Sequence, residues 1–214
     1  MSYSIEIVTQ PAREAVELND VRRHIKASSN DDNFSISLIV EAARHYIEKA
    51  SGRYLINTEM KMYLNEWGSG EMPWWDGMRE GAFVDQADYI EIPYGPLQSV
   101  THIKTYDDTD TATTWASTNY FVDNRKQDLG RIKPRSGQSW PVFTRPTNGI
   151  EIQFVAGYGE TAKDVPANVK LALMMQCAHL YQNRGDLITG SIVTEAPRGV
   201  EDLINQFKIK RLGL

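Results

Sequence analysis

The side chains in this chain that can do chemistry are four histidines, one cysteine and 28 acidic residues. His24, His45, His102 and His179 fall on four separate stretches, too far apart for the tight ligand spacing of a metal site. Glu41 and His45 lie four residues apart on one predicted helix face and offer two ligands at most, so they read as a solvated face. Asp107, Asp108 and Asp110 lack the glycine and glutamate of a calcium loop and read as a polar hairpin turn. Gly157-Tyr158-Gly159-Glu160-Thr161-Ala162 fits G-x-G-x-x-A, which holds pyrophosphate only where a helix starts inside the glycine turn. Here the helix signals, Asp164 and Pro166, come later. The glycines are therefore expected to let the chain leave a sheet sharply. Glu91 with Glu151 can be paired as acid and base, and Trp74, Trp75, Trp115 and Trp140 can stack on sugars, which keeps a carbohydrate-binding or glycoside-cleaving module as a rival. No Walker pattern, G-x-S-x-G or Cys–His nucleophile pairing occurs, and Cys177 sits in an apolar helical pattern. No catalytic residue, cofactor or metal is expected, and the chain is not expected to be an enzyme.

Partner contacts are the better expectation. Trp74 and Trp75 lie in a long Gly-rich stretch, Gly68–Asp88, and paired aromatics of this kind anchor protein partners. Leu187, Ile188, Ile192 and Val193 fall in a segment between two helical patterns. Phe207, Lys208, Lys210 and Arg211 form an apolar and basic C-terminal run, and Arg125, Lys126, Arg131, Lys133 and Arg135 a second basic cluster. The net charge of −5 excludes a wholly basic nucleic-acid footprint. No apolar run approaches a membrane span, and no signal peptide is evident at Met1, so a cytoplasmic protein without a membrane partner is expected.

These groups must be positioned by two kinds of element. Helices are expected from about Asn19 to Ala27, from Asp31 or Asp32 to Gly52, from Asp164 to Gly185, and over Val200–Phe207. The second carries an apolar stripe of Ile36, Ile39, Ala43, Tyr46, Ile47 and Ala50, with Arg44 and Glu48 off it. Short strands are expected near 60–64, 89–92, 99–106, 119–123, 130–133 and 149–155, with residues 1–15 loose. The expected fold is α+β: a small helical bundle core, residues 1–56 and 160–214, with an inserted antiparallel β-sandwich or small barrel, residues 57–159.

Taken in order, several pieces resemble the head-to-tail connector proteins, or portal adaptors, of tailed bacteriophages. They begin with Glu41, Ala42, Ala43, Tyr46, Ile47, Gly52 and Arg53, followed by Pro93, Pro96, Val100 and Tyr106. Then come Tyr120 before Val122-Asp123, Gly130-Arg131-Ile132, Trp140-Pro141 and Phe154–Gly159. Val165-Pro166, Leu180–Arg184 and Pro197–Val200 leading to Leu203 complete the set. The resemblance runs over about residues 15–212, and the Gly68–Asp88 insert and the tail after Phe207 depart from it. It implies a structural virion protein that forms a homo-oligomeric ring, commonly dodecameric, beneath the portal. It also implies a lower face for the next tail or stopper protein, and a channel through which genomic DNA passes without sequence-specific binding. Such a protein would be assembled in the host cytoplasm and end in the virion. A small regulatory domain that binds another protein is the remaining alternative.

Overall fold

In the computed structural model, residues 3–27, 32–67, 89–125, 129–183 and 197–209 are described. The chain divides into two compact units: Met1–Gln10 with Thr58–Ala156, and Pro11–Asn57 with Gly157–Leu214. The first ten residues thus belong with the strands, not with the helical core that the sequence suggested for residues 1–56.

The β unit holds a five-stranded antiparallel sheet in the order β1-β2-β8-β4-β5 and a three-stranded one in the order β3-β7-β6. The larger is built from β1 (Tyr3–Thr9), β2 (Thr58–Leu64), β4 (Leu97–Tyr106), β5 (Ala112–Trp115) and β8 (Ile150–Ala156). The smaller is built from β3 (Ile90–Glu91), β6 (Tyr120–Asp123) and β7 (Arg131–Pro134). Neither sheet, as described, closes into the barrel offered as one expectation. Period-2 alternation sets the two faces of the large sheet. One row crosses all five strands as Ile5, Met62, Ile152, Ile103 and Trp115. Of these, Met62, Ile152 and Ile103 are essentially inaccessible to solvent. Each such side chain stabilises the unit by about 1.5–3 kcal/mol. A bulge in β4 pairs Val100 with Phe154 but His102 with Gln153. It brings His102 to the polar face, beside Glu151.

Two strands escaped the sequence reading. β1 was expected to be loose, yet it pairs in register with β2 from Tyr3↔Leu64 to Ile7↔Met60, with a shift before Thr9↔Glu59. β5 lies beyond the Asp107–Asp110 turn, and that turn is as expected: the Asp107 carboxylate accepts hydrogen bonds from the Thr109 and Thr111 amides.

The helical unit contains α1 (Leu18–Ile25), α2 (Asn33–Ser51), α3 (Ala167–Gln182) and α4 (Arg198–Phe207). Ile36, Val40, Ala43 and Ile47 of α2 meet Val169, Ala172, Leu173 and Cys177 of α3, with Val21, Val200, Ile204 and Phe207 in the same core. Gly52 ends α2 at φ 72°, the left-handed conformation expected of it. The caps differ from expectation. α1 begins after Glu17 and not Asn19, and Asp32 precedes α2 without capping it and accepts the Tyr181 hydroxyl at 2.8 Å. Asp164 also fails to cap α3; it closes a local turn by accepting the Thr161 amide and hydroxyl, each at 2.9 Å.

Candidate functional site

Three clusters of side chains in the described residues bear on the chemistry that the sequence offered, and each has a structural occupation. The first is in the helical unit. Arg44 and Glu48, expected off the apolar stripe of α2, are 3% and 6% exposed. Helical spacing explains the miss: the buried stripe runs through Val40, Arg44, Ile47 and Ser51, while Tyr46 faces outward. Arg44 donates to Glu14 through Nε at 2.8 Å and to Glu48 through Nη1 at 3.1 Å. The second Glu48 oxygen accepts the Leu55 amide at 3.0 Å. Burial opposes the Arg44 charge, but Glu14 and Glu48 more than offset it and hold the guanidinium above its ordinary value. Burial raises the Glu48 carboxyl, against the pull of the Leu55 amide and of Arg44. The cluster ties the Glu14 segment, α2 and the Leu55 turn together.

The second lies on the polar face of the five-stranded sheet. Glu151, 2% exposed, meets His102 Nε2 and the Tyr106 hydroxyl, both at 2.8 Å, with Lys61 Nζ at 3.8 Å. Burial pushes Glu151 up, but the hydrogen bonds from His102 and Tyr106 and the Lys61 charge outweigh it and leave the carboxyl below its usual value. Burial and the bond to Glu151 push the Tyr106 phenol up to about 12. A glycosidase acid needs the opposite, a carboxyl held protonated. Its proposed partner, Glu91, sits in the other sheet and receives Arg131 through Nε at 3.1 Å and Nη2 at 2.8 Å. The two carboxylates lie in different sheets and each is engaged by its own partners, Glu151 by His102, Tyr106 and Lys61 and Glu91 by Arg131.

The third is aromatic. Trp67 stacks on Trp140 at 4.6 Å, Trp140 lies 5.4 Å from Trp115, and Trp115 stacks on Tyr120 at 5.1 Å. Trp115 is 8% exposed, and the Trp67 indole donates to the Pro141 carbonyl at 2.7 Å. Trp115 and Trp140 are therefore packed on other rings, which takes up the faces a sugar would need.

The G-x-G-x-x-A stretch is a backbone crossing. Gly157 has φ 148°, and a Cβ there would lie 2.5 Å from the Asn57 amide nitrogen and the Ile56 carbonyl carbon. The Asn57 amide donates to the Gly159 carbonyl at 2.9 Å. α3 starts only at Ala167, so no helix N-terminus faces the glycine turn.

Of the expected partner residues, Phe207 is 7% exposed and belongs to the helical core, a correction to its reading as an outer anchor. Arg53 Nε holds its carbonyl. Lys208 is exposed just past α4. Trp74, Trp75, Leu187, Ile188, Ile192, Val193, Lys210 and Arg211 lie outside the described residues. What the sequence reading passed over is the outer side of α2, where Phe34 is 75%, Leu38 50% and Tyr46 37% exposed, and Leu171 of α3, 42% exposed. The i, i+4 spacing of Phe34 and Leu38 was the available signal. Among the described residues no group of three or more His, Cys, Asp or Glu could hold a metal, and no helix is long and apolar enough to cross a membrane.

A two-unit α+β chain whose buried charges, Arg44, Glu48 and Glu151, sit in structural networks and whose α2 exposes Phe34 and Leu38 is the class that the geometry defines. No protein-family model matches the chain, and no curated protein does. Solved structures do. One chain in a structure described as the neck of an empty GTA particle, computed with C6 symmetry, is 20% identical, with a TM-score of 0.76 over 98% of this chain and 97% of that one. A chain from the virion of a native gene transfer agent particle is 21% identical, at 0.75 over 97% and 96%. A third, from the neck of the native particle computed with C12 symmetry, is 21% identical, at 0.72 over 98% and 97%. Both units and their order in the chain are thus shared, which establishes a common fold.

Proposed function

We propose that this chain is a structural neck subunit of a tailed-phage-like particle. It assembles as a ring beneath the portal, continues the DNA channel and presents a docking face to the next tail or stopper protein. The observation that carries this reading is the end-to-end fold likeness to chains of a particle neck and virion. Ring closure requires each subunit to expose two different complementary surfaces. The outer side of α2, with Phe34 and Leu38 one turn apart, is suited to be one of them. The glycoside-cleaving rival's carboxylates are engaged in structure: Glu151 with His102 and Tyr106, Glu91 with Arg131.

The test is native mass spectrometry of the 24.3 kDa chain alone and mixed with a portal ring. The proposal expects many copies to join the portal together, a dodecamer adding about 290 kDa. A chain that stays monomeric beside the portal contradicts it.

A further inference from the structure

We propose that a basic notch on α1 binds the phosphate backbone of duplex DNA. Asn19, Arg22, Arg23 and Lys26 stand at i, i+3, i+4 and i+7, one side of the helix, while Val21 is fully buried and Leu18 and Ile25 pack toward the core. With Ala27 these four line a concavity of about 610 Å³, and no carboxylate is among its described lining residues. From Arg22 to Lys26 the helical rise is about 6 Å, so the three cations are spread along the helix, as a backbone of successive phosphates requires. Asp20 pairs with Arg23, but their side chains are 49% and 80% exposed, and a pair so exposed is readily exchanged for phosphate.

Two features favour phosphate over an acidic protein surface. Guanidinium groups match phosphate oxygens in a two-pronged fashion. A docked protein also needs an apolar centre, and among the described residues Ala27 is the one apolar residue that lines the notch. Lys26 itself has φ 56°, a position where glycine is the ordinary choice, so the cation is kept at the expense of the helix end. The choice of duplex DNA among phosphates rests on the neck reading. In a ring each subunit would contribute one weak contact of this kind, and repetition would make the sum felt. An overall charge of −5 keeps the rest of the surface from adding to it.

The experiment measures binding of the full chain to a labelled duplex of arbitrary sequence by anisotropy across a salt series. The comparison protein carries Arg22→Gln, Arg23→Gln and Lys26→Gln. Loss of three phosphate contacts lowers the slope of log affinity against log salt by about 2–3. Lys26→Gly suits the positive φ, keeps the helix end folded, and lowers the slope by about 1. An unchanged slope in the triple variant overturns the inference while leaving the ring reading intact. So does competition by inorganic triphosphate with no duplex binding, which would assign the notch to a small phosphate. A triple variant that loses ring mass yet keeps the DNA slope also overturns it, since the notch would then be a subunit contact.

Discussion

Arg44→Met is the sharpest test of what holds the helical unit together. Methionine keeps most of the apolar stem and removes the buried cation that hydrogen-bonds Glu48, leaving the half-exposed His45 ring at 3.9 Å. Glu48 is 6% exposed, so its carboxylate cannot be rehydrated without opening the core, whereas Glu14, a third exposed, can turn to solvent. Removing one partner of a buried pair typically costs about 3–5 kcal/mol, and the bond from the Leu55 amide places this case near the lower half of that range. With a urea slope of about 2 kcal/mol per molar, the midpoint should fall by about 2 M. The two units need not unfold together, and the chain offers separate probes for them. All five tryptophans lie between Trp67 and Trp140, inside the β unit's stretch, whereas α1 to α4 all belong to the other unit. Circular dichroism at 222 nm should therefore show the early transition while tryptophan emission holds. The pH dependence has a fixed sign. Burial already raises folded Glu48 above its ordinary 4.5, and loss of Arg44 raises it further. Above pH 4.5 the unfolded variant gives up this proton more readily than the folded one, so the variant loses stability as pH rises toward its folded value. The deficit should be larger at pH 8 than at pH 5. A variant within 1 kcal/mol of wild type at pH 8, or a deficit that grows on acidification, would refute the assignment of Glu48 as a buried, cation-dependent acid.

Other consequences follow from single contacts. Gly157→Ala would force a Cβ to within 2.5 Å of the Ile56–Asn57 backbone and should destabilise the helical unit by about 3 kcal/mol or more; a loss under 1 kcal/mol by the same dichroism melt contradicts the crossing. Glu151→Gln should lower the Tyr106 phenol from about 12 in an ultraviolet titration, because the anion that opposes its ionisation is gone. In the wild type, the depressed Glu151 carboxyl contributes stability above pH 4.5 that is lost as pH falls through its folded value, and tryptophan emission should report the loss. Cys177, fully buried and pushed up to about 12 by burial, should resist thiol reagents at pH 8 until the helical unit unfolds; rapid reaction with the native chain would contradict that burial. Phe34→Glu with Leu38→Glu should change stability by less than about 0.5 kcal/mol, since both side chains are at least half exposed, yet abolish joint binding to a portal ring; persistence of the ring would exclude this face.

Local order was legible where local residues decide it. The α2 boundary at Gly52, the turn at Asp107–Asp110 and the six expected strands rest on capping, side-chain-to-backbone bonds and alternation within a few residues. The misses come from pairing at a distance. β1 has the alternation Ile5-Glu6-Ile7, but it becomes a strand only because β2, more than fifty residues on, offers Met60 and Met62 to it. Arg44 and Glu48 look like a solvated face because charge usually sits outside, and only the partners Glu14 and Leu55 make burial tolerable. Asp164 has the residue type and place of a cap, yet Thr161 captures it first. Phe207 was read as an anchor because it precedes a basic tail, while its spacing from Val200 and Ile204 already marked the core side of α4. The basic notch on α1 was passed over because Arg22, Arg23 and Lys26 are interrupted by His24 and Ile25 in the linear text and align only on a helix.

The most direct test of the central claim is a single-particle reconstruction of a portal ring incubated with this chain. The neck reading predicts a closed ring of the two-unit fold coaxial with the portal, its central channel continuous with the portal channel and the outer side of α2 covered by a neighbouring copy. A portal that carries no added density, or single copies bound off the axis, would contradict it.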